Sequence, residues 1–310
     1  MASRRSLTLP PWILVVLTFI AACATQPTRG PVQVAASPDQ APKPPAAAET
    51  SLPNKPDTVK FGVIGDFGTG GREQLETGAE MGRVYARFPF EFVITVGDNI
   101  YGSERPQDFS TKFEIPYKSV LDKGVKFYAS LGNHDSREQA HYPPFNMEGK
   151  EYYTMKPAKG SVKFFALETT YLKPEQVQWL EKELADSRED WKIPYFHHPP
   201  YSSGERHGSH ETIRQVLEPL FIKYNVSVVF TGHDHFYERT KPQQGIVYFV
   251  VGSSGQLRRG NIDRRSGIIA SGNDTDRAFL VAEIDGDDMY FNAISRTGAV
   301  IDSGKITRRK

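Results

Sequence analysis

The sequence contains a single cysteine, Cys23, among 310 residues. One thiol near the start excludes a disulfide framework, a cysteine metal site and a cysteine nucleophile in any fold that follows it. An excess of one charge is also missing. The 38 basic and 37 acidic side chains leave a net charge of +1, so the chain lacks the basic surface that nucleic-acid binding demands. Any selectivity for an anion must then come from a local site. Long apolar runs are scarce as well: Trp12 to Ala22 is broken by Thr18 and falls short of the roughly 20 residues that cross a bilayer. What remains is ordinary globular material, 38% hydrophobic and 12% aromatic, enough to build a core in one large domain or two modest ones.

The N-terminus has the layout of an export signal, with Arg4 and Arg5 ahead of the apolar stretch. The stretch closes on Ile20-Ala21-Ala22-Cys23, which resembles the cleavage box of bacterial lipoproteins. The resemblance implies that residues 1–22 are a signal peptide and that Cys23 becomes the lipidated first residue. The mature chain would then carry 36 − 37 = −1, since the removed segment holds Arg4 and Arg5 and no acid. Residues 23–57, rich in Pro and Ala, bury too little apolar surface to fold and are expected to form a tether. The expectation is an exported protein anchored to a bacterial membrane, on the outer membrane or periplasmic side, because Ala24 is not the aspartate associated with inner-membrane retention.

A single domain is expected over 58–310. Short apolar runs at Val59–Ile64, Phe92–Val96, Lys126–Ser130, Val162–Leu167, Ile193–Phe196 and Val226–Phe230 predict buried strands. Helical spacing lies between them, at Val177, Leu180 and Leu184 after Pro174, and at Ile213, Val216, Leu217, Leu220 and Phe221. Pro219 should kink that second helix. Later runs at Ile246–Val251, Ala278–Ile284 and Met289–Ser295 read as strands joined by turns. Alternation followed by hairpins predicts an α/β layered domain with mixed sheets, in which ligands collect at strand carboxyl ends.

All eight histidines lie between His134 and His235, a concentration that points to metal or proton chemistry. Five polar motifs follow strand ends in order. They are Gly65-Asp66-Phe67-Gly68, Gly97-Asp98-Asn99-Ile100-Tyr101, Gly132-Asn133-His134-Asp135, His197-His198-Pro199-Pro200 and Gly232-His233-Asp234-His235. Each alone is commonplace. Delivered together to one sheet edge, their carboxylates, amide, phenol and imidazoles suit iron, manganese or zinc.

This ordered set resembles the calcineurin-like metallophosphoesterases. The tyrosine of the second motif resembles the purple acid phosphatase branch, and Lys60 to Arg239 is most similar to its small tartrate-resistant type. Tyr237-Glu238-Arg239 is closer to the larger plant enzymes. The resemblance implies a four-layer α/β/β/α sandwich and two metal ions, Fe(III) with Fe(II), Zn or Mn. Asp66, Asp98, Tyr101 and His235 would hold the first. Asp98 would bridge to the second, held also by Asn133, His197 and His233, with His198 at a variable position. A carboxylate bridging two cations lowers the pKa of bound water, giving a hydroxide that attacks a phosphate ester.

Around those ligands, His134 is expected to touch the substrate phosphate or leaving group, with Asp135 orienting its imidazole. His207 would match the tartrate-resistant type after a one-residue insertion, Arg206, and is expected to assist in the same way. Arg206 reads as a solvated loop residue, His210 as a surface residue at a helix start, and Gly252-Ser253-Ser254-Gly255 as a tight turn near the metals. The function implied is hydrolysis of small phosphate monoesters. A phosphodiesterase on the same scaffold, an inactive tethered metal- or phosphate-binding protein, and an iron-based redox side activity are the rivals.

Overall fold

The computed structural model describes residues 52–310. Cys23 and the signal-peptide stretch lie outside them. Along the chain run β1 (Val59–Ile64), α1 (Arg72–Tyr85), β2 (Phe92–Val96), α2 (Pro106–Phe109), α3 (Ile115–Leu121), β3 (Lys126–Ser130), β4 (Tyr153–Met155) and β5 (Val162–Ala166). Then come α4 (Pro174–Asp186), β6 (Trp191–Tyr195), α5 (Glu211–Lys223), β7 (Val228–Thr231), β8 (Tyr237–Thr240) and β9 (Val247–Val251). The chain closes with β10 (Ile269–Asn273), β11 (Ala278–Asp285), β12 (Asp288–Ser295) and β13 (Val300–Thr307).

The strands form two mixed sheets. One has the order β13-β12-β11-β1-β2-β3 and the other β10-β8-β9-β7-β6-β5-β4. β1, β2 and β3 are parallel, as are β5, β6, β7 and β9. Every residue of β2, β5 and β9 is buried, which is why these strands read as unbroken apolar runs. Between the sheets, the Phe61 ring meets Phe164 and Phe230 edge-on at 5.1 and 5.9 Å. Leu180 and Leu184 of α4, with Ile213, Leu217 and Phe221 of α5, cover the far face of the second sheet in a separate core. α1 and α3 cover the first sheet through Met81, Val84, Tyr117 and Val120. The result is the four-layer sandwich expected.

Several local expectations are corrected. Residues 52–57 were assigned to the tether, yet Leu52 joins the core, and the backbone amides of Asn54 and Lys55 bind Glu283 at 2.6 and 2.8 Å. A short segment with one large apolar residue can dock when a buried carboxylate satisfies its amides. α5 runs from Glu211 to Lys223 with Pro219 inside it. Pro219 and Gln215, whose carbonyl loses its helical partner there, both lie on the exposed face, where water can take over that bond. Val216 faces solvent as well, so the apolar stripe of α5 is narrower than its sequence suggests. No helix of the described residues is long and apolar enough to cross a membrane.

Because Phe61 packs against both sheets, Phe61→Ala is expected to lower stability by about 3–5 kcal/mol. Urea unfolding of the metal-free protein measures this, and a loss below about 1 kcal/mol would contradict the inter-sheet core described above.

Candidate metal centre

The parallel strands of both sheets aim their carboxyl ends at one cleft. β1 delivers Asp66, β2 delivers Asp98 and Tyr101, and β3 delivers Asn133 and His134, all from the first sheet. β6 delivers His197, and β7 delivers His233 and His235, from the second. Backbone bonds between loops fix the approach: the Asp66 amide donates to Gly97 O at 3.0 Å, and Gly232 N to His197 O at 3.0 Å.

The polar side chains gather into two groups. In the first, the Tyr101 hydroxyl lies 2.9 Å from Asp98 Oδ2, 3.3 Å from Asp66 Oδ1 and 3.2 Å from His235 Nε2. In the second, His197 Nε2 lies 3.0 Å from Asn133 Oδ1, 3.2 Å from His233 Nδ1 and 3.4 Å from Asp98 Oδ1. Asp98 thus turns one oxygen toward each group. All seven residues expected as ligands are brought together. His198 also stands close enough to share a metal with His197 and His233, which the sequence did not reveal. Its Nδ1 is 3.0 Å from Thr169 Oγ1.

Neighbouring groups aim these side chains. His197 Nδ1 donates to the Val96 carbonyl at 2.9 Å. A carbonyl only accepts, so the proton sits on Nδ1 and leaves the Nε2 lone pair facing the cleft. Asp66 Oδ2 accepts the His233 amide at 2.9 Å, and Asp98 Oδ1 the His134 amide at 3.0 Å. Asp66, Asp98 and His233 all hold left-handed backbone, with φ of 52°, 51° and 71°. Such strain, of order 1–3 kcal/mol per residue, gathers where function demands a fixed geometry. Two motif glycines are there because the ligands lie against them: a Cβ at Gly132 would sit 2.2 Å from Asp98 Oδ1, and one at Gly232 2.5 Å from Asp66 Oδ2.

The electrostatics favour cations. Asp66 and Asp98 are buried, and among the described residues their ion-pair partners are His235 and His197 rather than a lysine or arginine. Burial and the nearby Asp98 push the Asp66 carboxyl well above its usual range. Burial, reinforced by Asp66 and Asp98, raises the Tyr101 phenol far above its own. Burial also lowers the imidazoles, first by desolvation and then through other cleft groups: His235 falls to about 4 and His233 further. Each shift opposes charge in a desolvated cleft. A bound cation reverses that balance for the oxygen donors and keeps the imidazoles neutral. Carboxylates, phenol, amide oxygen and imidazoles are therefore a donor set that fits two metal ions.

The flanking residues divide. His134 is exposed and tilts over the Tyr101 ring at 4.9 Å, and His207 is exposed over His233 at 4.4 Å. Both face the cleft. Asp135 does not orient His134. Its oxygens accept the amides of Asn99, Ile100 and Gly132 at 2.8–3.1 Å and the side-chain amides of Asn99 and Gln139, which staples the second motif to the third. Two buried carboxylates that the sequence did not single out hold the His207 loop from below. Asp234 accepts the hydroxyl of Ser202 and the amide of Gly208, and Glu238 accepts the Ser203 amide at 2.8 Å and its hydroxyl at 2.6 Å. The only hint is position, with Asp234 inside the fifth motif and Glu238 three residues beyond it. His210 caps α5 by accepting the Ile213 amide at 3.4 Å and is exposed.

Two outcomes follow. Asp135→Ala leaves several amides without a partner and should destabilise the metal-free protein by about 3 kcal/mol, read by urea unfolding; unchanged stability would return Asp135 to a role on His134. Burial, with smaller repulsions from His197, His210 and His207, lowers His198 to about 2, from 6.5. A depressed imidazole contributes stability that is complete above its unfolded pKa of 6.5 and is lost as pH falls below it. His198→Asn should therefore remove about one proton from those taken up on unfolding at pH 5, measured by calorimetry in buffers of differing ionisation enthalpy. An unchanged proton count would mean that His198 is charged in the folded state.

Comparison with known proteins agrees with this geometry. The model of the calcineurin-like phosphoesterase family matches residues 59–237. Rabbit tartrate-resistant acid phosphatase type 5 is 26% identical over 237 residues, 63% of this chain and 73% of that protein. The Fe(3+)-Zn(2+) purple acid phosphatase 12 of Arabidopsis thaliana is 28% identical over 65% of this chain and 47% of its own length. Among solved structures, the purple acid phosphatase PPD1 of yellow lupin seeds superposes with a TM-score of 0.67 at 19% identity, over 83% of this chain and 55% of that one. GAP50, the anchor in the inner membrane complex of Plasmodium, gives 0.70 at 19% identity over 82% and 90%. At these identities the structures speak for the fold. With its strand-end motifs, its shared cleft and a family match spanning more than half of its length, the chain belongs to the calcineurin-like phosphoesterases.

Proposed function

We propose that the chain hydrolyses phosphate monoesters at a two-metal centre. The observation that carries this is Asp98, whose two oxygens face two separate donor groups. Asp66, Tyr101 and His235 would hold one ion with Asp98, and Asn133, His197 and His233 the other. Two such ions would supply a water of lowered pKa and neutralise charge on the phosphoryl group. The chain's own residues bind and position. His134 and His207, exposed beside the two donor groups, present ring nitrogens to a phosphoryl or leaving-group oxygen. Burial lowers His207 and so favours its neutral form. Asp135, Asp234 and Glu238 keep the loops in place.

For the first ion the reading is Fe(III). Tyr101 offers this ion a phenol oxygen, a hard donor, and the similar Arabidopsis enzyme is named for its iron–zinc pair. Iron(II), zinc or manganese suits the nitrogen-rich second group. The export signal and the Cys23 box support an exported, lipid-anchored location. Labelled palmitate should enter the full chain and not Cys23→Ser; equal labelling of both would remove the anchor.

Asp98→Ala and His233→Ala should each lower kcat for p-nitrophenyl phosphate on the order of 10³-fold, with the far-ultraviolet circular dichroism unchanged. Near-wild-type turnover in both would overturn the assignment. A diesterase on this scaffold would instead favour bis(p-nitrophenyl) phosphate; we expect the monoester to be the better substrate by at least about tenfold in kcat/KM.

A further inference from the structure

Tyr101 lies farther along the chain from the end of its strand than any other expected ligand. A phenol so placed takes its position from the partners of its own main chain. The Tyr101 amide donates to Gly68 O at 3.0 Å, and the Tyr101 carbonyl accepts the Lys112 ammonium at 2.7 Å. That ammonium also donates to Ser103 O at 3.0 Å and lies 3.5 Å from Asp108 Oδ1. All three of its protons therefore have a partner, and the side chain is only 14% exposed.

The helical run that carries Lys112 is shaped to bring it there. Between α2 and α3, Ser110–Glu114 form a π-helical turn, a local widening that is frequent at functional sites. Pro116 has no amide to offer the Lys112 carbonyl four residues earlier. That carbonyl accepts the side-chain amide of the buried Gln74 at 2.5 Å instead, and Gln74 Oε1 in turn accepts the Gly70 amide at 2.7 Å. Gly70 has a φ of 70°, and a Cβ there would lie 3.3 Å from Lys112 Cγ, so the lysine stem lies against the loop after β1. One residue thus joins the loop that carries Asp66 to the loop that carries Tyr101. Its stem and carbonyl hold the first, and its ammonium holds the second.

We propose that Lys112 is a positioning residue for the first metal ion: it fixes the Tyr101 phenol against the Asp66 carboxylate and so sets the affinity of that site. Asn133, His197 and His233 of the second group come from β3, β6 and β7, on loops outside these contacts. The two sites should therefore respond differently to the loss of Lys112. The inference rests on Tyr101 being a ligand of the first ion. It is tested on the full chain by two titrations, iron(III) in competition with nitrilotriacetate and then zinc added to the iron-loaded protein, with the visible spectrum recorded at saturating iron.

Lys112→Met keeps the stem and removes the charge and the donors, while Asp108 retains Arg105 at 2.8 Å and Ser103 at 2.9 Å. It should weaken iron binding about tenfold and shift the purple band, with zinc affinity within about threefold of wild type. Lys112→Gln, uncharged and too short to reach both carbonyls, should show the same split and guards against a methionine variant that fails to fold. Lys112→Arg, which still has donors for both carbonyls, should return iron affinity to within about threefold of wild type. Equal weakening of iron and zinc would reduce Lys112 to a general scaffold residue and overturn the proposal, as would unchanged iron affinity in both uncharged variants. A purple wild type with either of those results removes Lys112 alone. A colourless iron-loaded wild type would remove Tyr101 as a ligand, and the proposal with it.

Discussion

Asp98 is a carboxylate with almost no contact with solvent, placed where the two sheets meet. One oxygen faces the phenol of Tyr101, the other the imidazole of His197 and the amide of His134. The phenol and the amide satisfy its hydrogen bonds, but no lysine or arginine among the described residues pairs with its charge, and the acid nearest to it, Asp66, repels it. Its tolerance depends on cations entering the cleft. Much of the surrounding architecture can be understood as a means of holding this arrangement open for them. Asp66, Asp98 and His233 adopt left-handed backbone, and Gly132 and Gly232 stand where oxygens of Asp98 and Asp66 press on the chain.

The strain is sustained by neighbours outside the ligand set. Asp135 joins the loop after β2 to the loop after β3, and Asp234 and Glu238 fix the loop that carries His207. The turn after β9 ties the first motif to the fifth. These bonds run between loops from different strands, and from both sheets, so the cleft is assembled only when the whole sandwich has formed. Donor groups that would repel one another in the absence of metal are kept within a few ångströms by a scaffold whose stability lies elsewhere, in cores such as the one around Phe61, Phe164 and Phe230.

Much of this was legible in the sequence. The fully buried strands β2, β5 and β9 announce themselves as apolar runs, and the five motifs sit at strand ends because that is where a parallel sheet exposes side chains. The edge strands were harder. β10 and β13 present mixed, largely solvent-facing residues, so their alternation carries no strong signal. β4 and β8 are short. Asp135 was legible as important but not as to its role, since sequence adjacency to His134 suggested a partner that the turn geometry does not provide. The roles of His198 and Asp234 were missed for a related reason: each acts through neighbours distant in the chain. The docking of residues 52–57 depends on Glu283, more than two hundred residues away, and is invisible to any local pattern.

The central claim is that Tyr101, Asp66, Asp98 and His235 form one pole of a two-metal centre, and the visible absorption spectrum of the iron-loaded protein tests it most directly. A broad purple band in the wild-type protein, absent from Tyr101→Phe at equal iron content, is the result predicted by a phenol facing that pole. A folded protein that carries iron and is colourless, or a band that survives in Tyr101→Phe, would contradict it.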